Sequence, residues 1–140
     1  MPFTLLDGGM GQELMKRSPI KPTPLWSADI LRDYPTLVTE AHCDFVNAGA
    51  DVITLSSYTV TPTRLARHNR LDEFEYLQQA AVVAAYAASQ KVEATPLIAG
   101  CLPPLPNSYQ PSERLSEQAA YTEYSKIVEC QFKHVDLFIC

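Results

Sequence analysis

Leu5-Leu6-Asp7-Gly8-Gly9-Met10-Gly11-Gln12-Glu13-Leu14 sets a carboxylate directly ahead of a glycine-rich turn. Glycine carries no Cβ, so the backbone N–H groups of Gly8, Gly9 and Met10 can turn toward an anion. Asp7 is suited to accept hydrogen bonds from an ammonium group. Anion-binding amides beside a carboxylate make a receptor for the zwitterion of an amino acid. The same residues also fit a tight turn with a capping Asp. The spacing matches neither the G-x-G-x-x-G dinucleotide pattern nor the P-loop.

A second group is aromatic. Trp26 stands in Thr23-Pro24-Leu25-Trp26-Ser27, and Tyr58 follows Ser56-Ser57. Two rings at one rim can receive an onium methyl group by cation–π attraction, at ~0.5–2 kcal/mol each. The alternative is that Trp26 covers one end of the domain and Tyr58 packs. The cysteines are Cys43, Cys101, Cys130 and Cys140, with no CxxC pair among them. Each reads singly as a small buried hydrophobe, and neither a disulfide framework nor a zinc knuckle is signalled. Cys101 and Cys140 end neighbouring predicted strands but offer two metal ligands, not three. His42 falls within a predicted helix; His68 and His134 fall at helix ends or in surface loops.

These residues need a scaffold that brings loop ends together, and the pattern supplies one. Phe3-Thr4-Leu5-Leu6 reads as a first strand, broken at Asp7-Gly8-Gly9. Residues 18–27, with Pro19, Pro22 and Pro24, read as an extended loop. Pro35 suits a first helical turn, and Leu37, Ala41 and Phe45, beside Val38 and Val46, give that helix an apolar face. Gly49 sits where a helix end calls for a left-handed residue. Asp51 to Leu55 is a second strand. A longer helix opens at Asp72, with Phe74, Leu77, Ala81, Ala84 and Ala88 at helical spacing. Pro96 to Gly100 is a third strand, followed by a proline-rich loop from Pro103 to Pro111. Ser116 caps a helix with Ala120, Tyr124, Ile127 and Val128 on its apolar face. Val135 to Cys140 is a fourth strand.

Strands joined by helical crossovers imply an α/β fold with a parallel sheet. Either an open doubly wound sheet or part of a (β/α)8 barrel satisfies that order, and a complete barrel needs roughly 250 residues. Leu137-Phe138-Ile139-Cys140 reads as a strand buried on both faces, ending without a charge or turn to protect its edge. The expectation is therefore a truncated sheet.

The chain has 140 residues, 46% hydrophobic, with a net charge of −5. That length holds one domain, and the charge balance disfavours a nucleic-acid binder or a polybasic membrane anchor. The longest apolar run, Ala80 to Ala88, is nine residues and too short to span a bilayer. No secretory signal is visible at Met1-Pro2-Phe3-Thr4, so a cytoplasmic location is expected by default.

Asp7-Gly8-Gly9-Met10-Gly11, Pro24-Leu25-Trp26-Ser27, His42 to Asp51, Val52 to Tyr58 and Leu97-Ile98-Ala99-Gly100 occur in this order. This series resembles the homocysteine S-methyltransferase family, which includes the betaine- and S-methylmethionine-dependent enzymes. The resemblance implies the first half of a (β/α)8 TIM barrel, roughly (βα)3β, with residues 1–140 the incomplete N-terminal part of a homocysteine-binding domain. It implies methyl transfer from an onium donor to homocysteine sulfur, giving methionine. Asp7 would hold the homocysteine ammonium, the Gly8, Gly9 and Met10 amides its carboxylate, and Trp26 and Tyr58 would flank the donor methyl.

The family's zinc is held by cysteines in Gly-x-Asn-Cys and Gly-Gly-Cys-Cys motifs, neither of which occurs here. Zinc ligands are thus expected outside this chain, which alone would be inactive. Gly100-Cys101-Leu102-Pro103-Pro104 and Ser56-Ser57 depart from the family's usual Gly-Ser-x-Gly-Pro and Thr-Asn, both at the rim that binds the donor. Two other readings remain. One is a non-enzymatic half-barrel that forms a homo-oligomer through its open strands; the other is a barrel enzyme holding a phosphate ester at the glycine loop.

Overall fold

The structure is a computed structural model that describes residues 3–106 and 112–140. The tail of the predicted proline-rich loop, residues 107–111, lies outside the described residues. Six helices and three strands follow one another as α1 (Met10–Arg17), α2 (Trp26–Asp33), α3 (Pro35–Asn47), β1 (Val52–Thr54), α4 (Pro62–Arg67), α5 (Phe74–Ser89), β2 (Leu97–Cys101), α6 (Glu117–Gln131) and β3 (Leu137–Ile139). A 3-10 turn, Leu71–Glu73, leads into α5. The sheet is parallel with order β1-β2-β3, pairing Ile53 with Ile98 and Gly100 with Phe138. Leu6 bridges to Val52 on the other side of β1. Chain order and spatial order therefore agree across the described sheet, without the reversal that marks a doubly wound fold.

The predicted first strand, Phe3 to Leu6, shrinks to that single bridge. The carbonyl of Leu5 accepts from Val52, and Asp7 N–H donates to the Val52 carbonyl. On either side of these bonds, side chains take over. The Leu5 amide donates to the Asp51 carboxylate and the Thr54 amide to the Asp7 carboxylate, each at 2.8 Å. Carboxylates thus consume the amides that would lengthen the ladder.

Helix boundaries follow local chemistry. Pro35 opens α3 at a position where its missing N–H costs nothing. Gly49, at φ +106°, ends it. The Ala50 N–H reaches the Phe45 carbonyl and the Gly49 N–H that of Val46, the Schellman arrangement. Ser116 Oγ accepts from the Ala119 N–H at the start of α6. Three helices were not anticipated. Residues 18–27 were read wholly as loop, yet Trp26 and Ser27 already belong to α2, nucleated where Thr23 accepts the Leu25 and Trp26 amides. Helix α1 starts directly on the glycine turn, with Glu13 paired to Arg17 one turn on. Helix α4 is capped by Thr61 with Pro62 in its first turn.

The helices α3 and α5 pack together, as do α5 and α6. All five predicted apolar positions of α5 are buried. A fully buried Leu such as Leu77 contributes about 1.5–3 kcal/mol. The buried face of α3 differs from the expected one: Val38, Thr39, Ala41, His42 and Val46 are buried, while Leu37 and Phe45 stay half-exposed. Its centre therefore contains a histidine.

His42 is wholly buried, and neither ring nitrogen finds a partner among the described residues. Burial alone lowers its pKa from 6.5 to about 4, because a charged imidazolium would be stranded without water. The folded state thus binds that proton less readily than the unfolded state. Stability contributed by neutral His42 is full above pH 6.5 and declines as pH falls toward 4, by up to about 1.4 kcal/mol per pH unit. Urea midpoints measured from pH 7 to 4 should show this slope in the wild type, and His42→Met should flatten it.

Candidate functional site

The C-terminal ends of the parallel strands open onto one cleft of about 840 Å³. All six residues singled out by type and spacing, Asp7, Gly8, Gly9, Met10, Trp26 and Tyr58, border it. Thr54, Arg64 and Cys101 join them. The rim position follows from topology: parallel strands enter from the same side, so the segments after them gather at one end.

Asp7 is held from two directions. Its Oδ2 accepts from the Thr54 N–H at 2.8 Å and its Oδ1 from Thr54 Oγ1 at 2.9 Å. Burial raises its pKa above the ordinary carboxylate value and outweighs these bonds, which pull the other way. Each oxygen retains a second lone-pair site, so the anchored carboxylate can still accept from an ammonium group.

The glycine turn is shaped by contact. A Cβ on Gly8 would lie 2.8 Å from Phe45 Cε1, so α3 presses against the turn and only glycine fits there unshifted. Gly9 forms the N-cap of α1 with its carbonyl, which accepts from Gln12 and Glu13. One expectation changes. The Met10 N–H donates to the Gly8 carbonyl at 2.8 Å, so it is already committed within the turn. No described residue accepts from the N–H of Gly8 or of Gly9. Those two residues lie beside the N-terminal, positive end of α1, where the helix dipole favours negative charge.

Trp26 was placed in a loop; it is instead the first residue of α2, with its ring against Gly11. Its seat is secured from below. Thr23 donates to the nearly buried Asp29 carboxylate, and Arg70 donates to the other oxygen of that carboxylate while also gripping Glu73. The Tyr58 ring is partly exposed, and the Arg64 guanidinium stands over one of its faces, 5.3 Å from the centroid. That cation was missed because the helix carrying it was missed, although Thr61-Pro62 is a legible N-terminal signal.

Cys101 ends β2 with its thiol buried. Burial pushes its pKa up to about 12, against a hydrogen bond with Ser57 that opposes the shift. A thiol so perturbed stays protonated at neutral pH and does not compete as a nucleophile. Its backbone is fixed by Gln131, fully buried on α6, whose Oε1 accepts from the Cys101 N–H at 3.0 Å. Gln131 Nε2 donates to Ser57 Oγ and to Gln78 Oε1, and Gln78 Nε2 donates to the Val60 carbonyl. This chain of amides ties α5 and α6 to the segment after β1 and to the end of β2. The sequence pattern placed an apolar face on α6 and gave no sign of it.

Among the described residues, no group of three His, Cys, Asp or Glu side chains is arranged to hold a metal ion. Cys140 is exposed and Cys101 buried, and no third ligand joins them. The residues present therefore do not by themselves fit a zinc site. No described helix is long and apolar enough to cross a membrane.

A model of the family described as homocysteine S-methyltransferase matches residues 4–140. The chain belongs to the homocysteine S-methyltransferase family. It is 42% identical over 69 residues to the homocysteine S-methyltransferase of Escherichia coli (strain K12), covering 49% of this chain and 22% of that protein. It is 39% identical over 59 residues to a selenocysteine Se-methyltransferase of Brassica oleracea var. italica, covering 42% of this chain and 17% of that protein. Among solved structures, the homocysteine methyltransferase MmuM from Escherichia coli in its oxidized form superposes with a TM-score of 0.81 at 30% identity. The match covers 98% of this chain and 52% of MmuM. The metallated form of MmuM gives a TM-score of 0.79 at 29% identity, covering 96% and 52%. This chain thus spans about half the length of these homocysteine S-methyltransferase structures.

Replacing Gln131 by Met keeps its length but removes both polar ends, leaving the buried Cys101 amide and Gln78 Oε1 without their partner. The expected cost is about 1–3 kcal/mol in urea unfolding. Hydrogen exchange at the Cys101 amide should accelerate in the variant.

Proposed function

We propose that the full-length protein carrying this chain is a homocysteine S-methyltransferase, and that residues 1–140 supply the part of its barrel that binds the amino acid. The observation that carries this reading is the single cleft shared by Asp7, the Gly8–Gly9 turn and Trp26. The sequential parallel strand order supports a half-barrel of (βα)3β type.

In this reading the homocysteine ammonium donates to Asp7, and its carboxylate accepts from the Gly8 and Gly9 amides. Gripping both ends of the zwitterion fixes where the sulfur lies. The sulfur attacks the methyl carbon of an onium donor. A sulfur–carbon bond forms as the donor's heteroatom–carbon bond breaks, the donor leaves with one positive charge fewer, and the thiol proton is lost, giving methionine. Trp26 lines the path of the methyl group. This chain's contribution is orientation: aligning nucleophile and electrophile removes much of the entropic barrier to a two-substrate step. Zinc in the assembled enzyme would draw on ligands other than these residues.

Calorimetry on the full-length protein tests the grip. Asp7→Asn keeps the shape and can keep both bonds to Thr54, yet removes the charge. It should weaken homocysteine binding roughly 10- to 100-fold, the range of a lost charge-assisted hydrogen bond. Wild-type affinity should decline as pH falls through the raised pKa of Asp7, because a protonated carboxyl no longer offers the ammonium a negative charge. Unchanged affinity in Asp7→Asn would place the amino acid elsewhere.

A further inference from the structure

The cleft contains two opposite charges from the chain itself. Asp7 stands at the glycine turn, and Arg64 stands over Tyr58. Arg64 lies in the first turns of α4, whose start is set by the Thr61 cap and Pro62. From there its half-buried side chain reaches across the rim, and Nη2 donates to the Pro104 carbonyl at 2.9 Å. The guanidinium is therefore braced by a ring below and by the segment after β2 at its edge. A planar guanidinium braced in this way presents its N–H donors in a fixed direction, the geometry that suits a carboxylate.

The position has a consequence for a cationic donor. One face of the Tyr58 ring, which would otherwise attract an onium, already carries a cation. A second positive charge brought into the same partly desolvated cleft is repelled, and the repulsion strengthens as water is excluded. An onium that also carries a carboxylate escapes this penalty, because its negative end can meet Arg64 while its methyl group points toward Trp26. Building an unfavourable contact against one ligand is an effective way to select another.

We propose that Arg64 is a specificity-determining residue of this cleft: it receives the carboxylate of a zwitterionic methyl donor and turns away onium donors that lack one. This rests on the methyltransferase reading above and adds to it the residue that chooses the donor.

The test uses the full-length protein and two donors differing only at the acid group, a carboxylate-bearing sulfonium and its methyl ester. Formation of methionine is followed for both, and kcat/KM is compared. The wild type should prefer the free acid by about tenfold or more. Arg64→Gln should lower kcat/KM for the acid by at least that factor, through KM, while leaving the ester unchanged or improved and the KM for homocysteine unaltered. Arg64→Lys, which keeps the charge without the planar fork, should restore part of the preference. Equal loss with both donors in Arg64→Gln, together with a lowered melting temperature, would assign Arg64 a structural role and overturn the proposal. So would a wild type that uses acid and ester equally well, and in either case the methyltransferase reading stands. Methyl transfer from neither donor by the wild type would overturn that reading and this proposal with it.

Discussion

One carboxylate, that of Asp7, sits where the sheet ends and the cleft begins. By accepting the Thr54 amide, it replaces the backbone carbonyl that would have carried the ladder one step further. The same substitution occurs at the other side of the bridge, where Asp51 takes the Leu5 amide. Pairing is therefore confined to Leu6, and the chain is released into the glycine turn at a defined point. The bonds that terminate pairing also hold Asp7 in its place at the rim. Burial raises its pKa, so the anion there is one that gains by meeting a cation.

The rest of the cleft is positioned by polar contacts buried beneath it. Gln131 and Gln78 link α6 and α5 to the segment following β1 and to the end of β2. Arg70 and Asp29 do the same for the approach to Trp26, joining the junction before α5 to the loop that starts α2. Buried polar groups are costly when unpaired, so a fully connected set restricts the backbone to one arrangement. Both sets join elements distant in sequence, and the glutamine set reaches the cleft at Cys101. Apolar packing in α3, α5 and α6 supplies stability without such directionality.

Cleft chemistry follows from where charge is allowed to remain. Cys101 is held as a neutral thiol by burial and stays out of the sulfur chemistry proposed for this rim. Asp7 and Arg64 line the same space with opposite charges. Such a pair suits ligands that are themselves zwitterions, whose opposite ends can be matched separately. His42 shows the same physics in the core, where the neutral ring is kept because nothing nearby compensates a proton.

The sequence by itself determined the parallel α/β order, the glycine turn, the Gly49 helix end, the Ser116 cap and the apolar face of α5. Each of these is written in residues close together, where backbone geometry and helical period act locally. It also singled out Asp7, Gly8, Gly9, Met10, Trp26 and Tyr58 as chemically apt. Only the tertiary structure decided that they share a cleft, that the Met10 amide is spent inside the turn and that Arg64 covers Tyr58. The short helices α1, α2 and α4 escaped detection because few residues carry their period, and packing rather than propensity stabilises them. The first strand was overestimated because a short apolar run cannot show that Asp7 and Asp51, remote in sequence, will take the amides it needs. Contacts between distant residues depend on which surfaces folding brings together, and that information is spread over the whole chain.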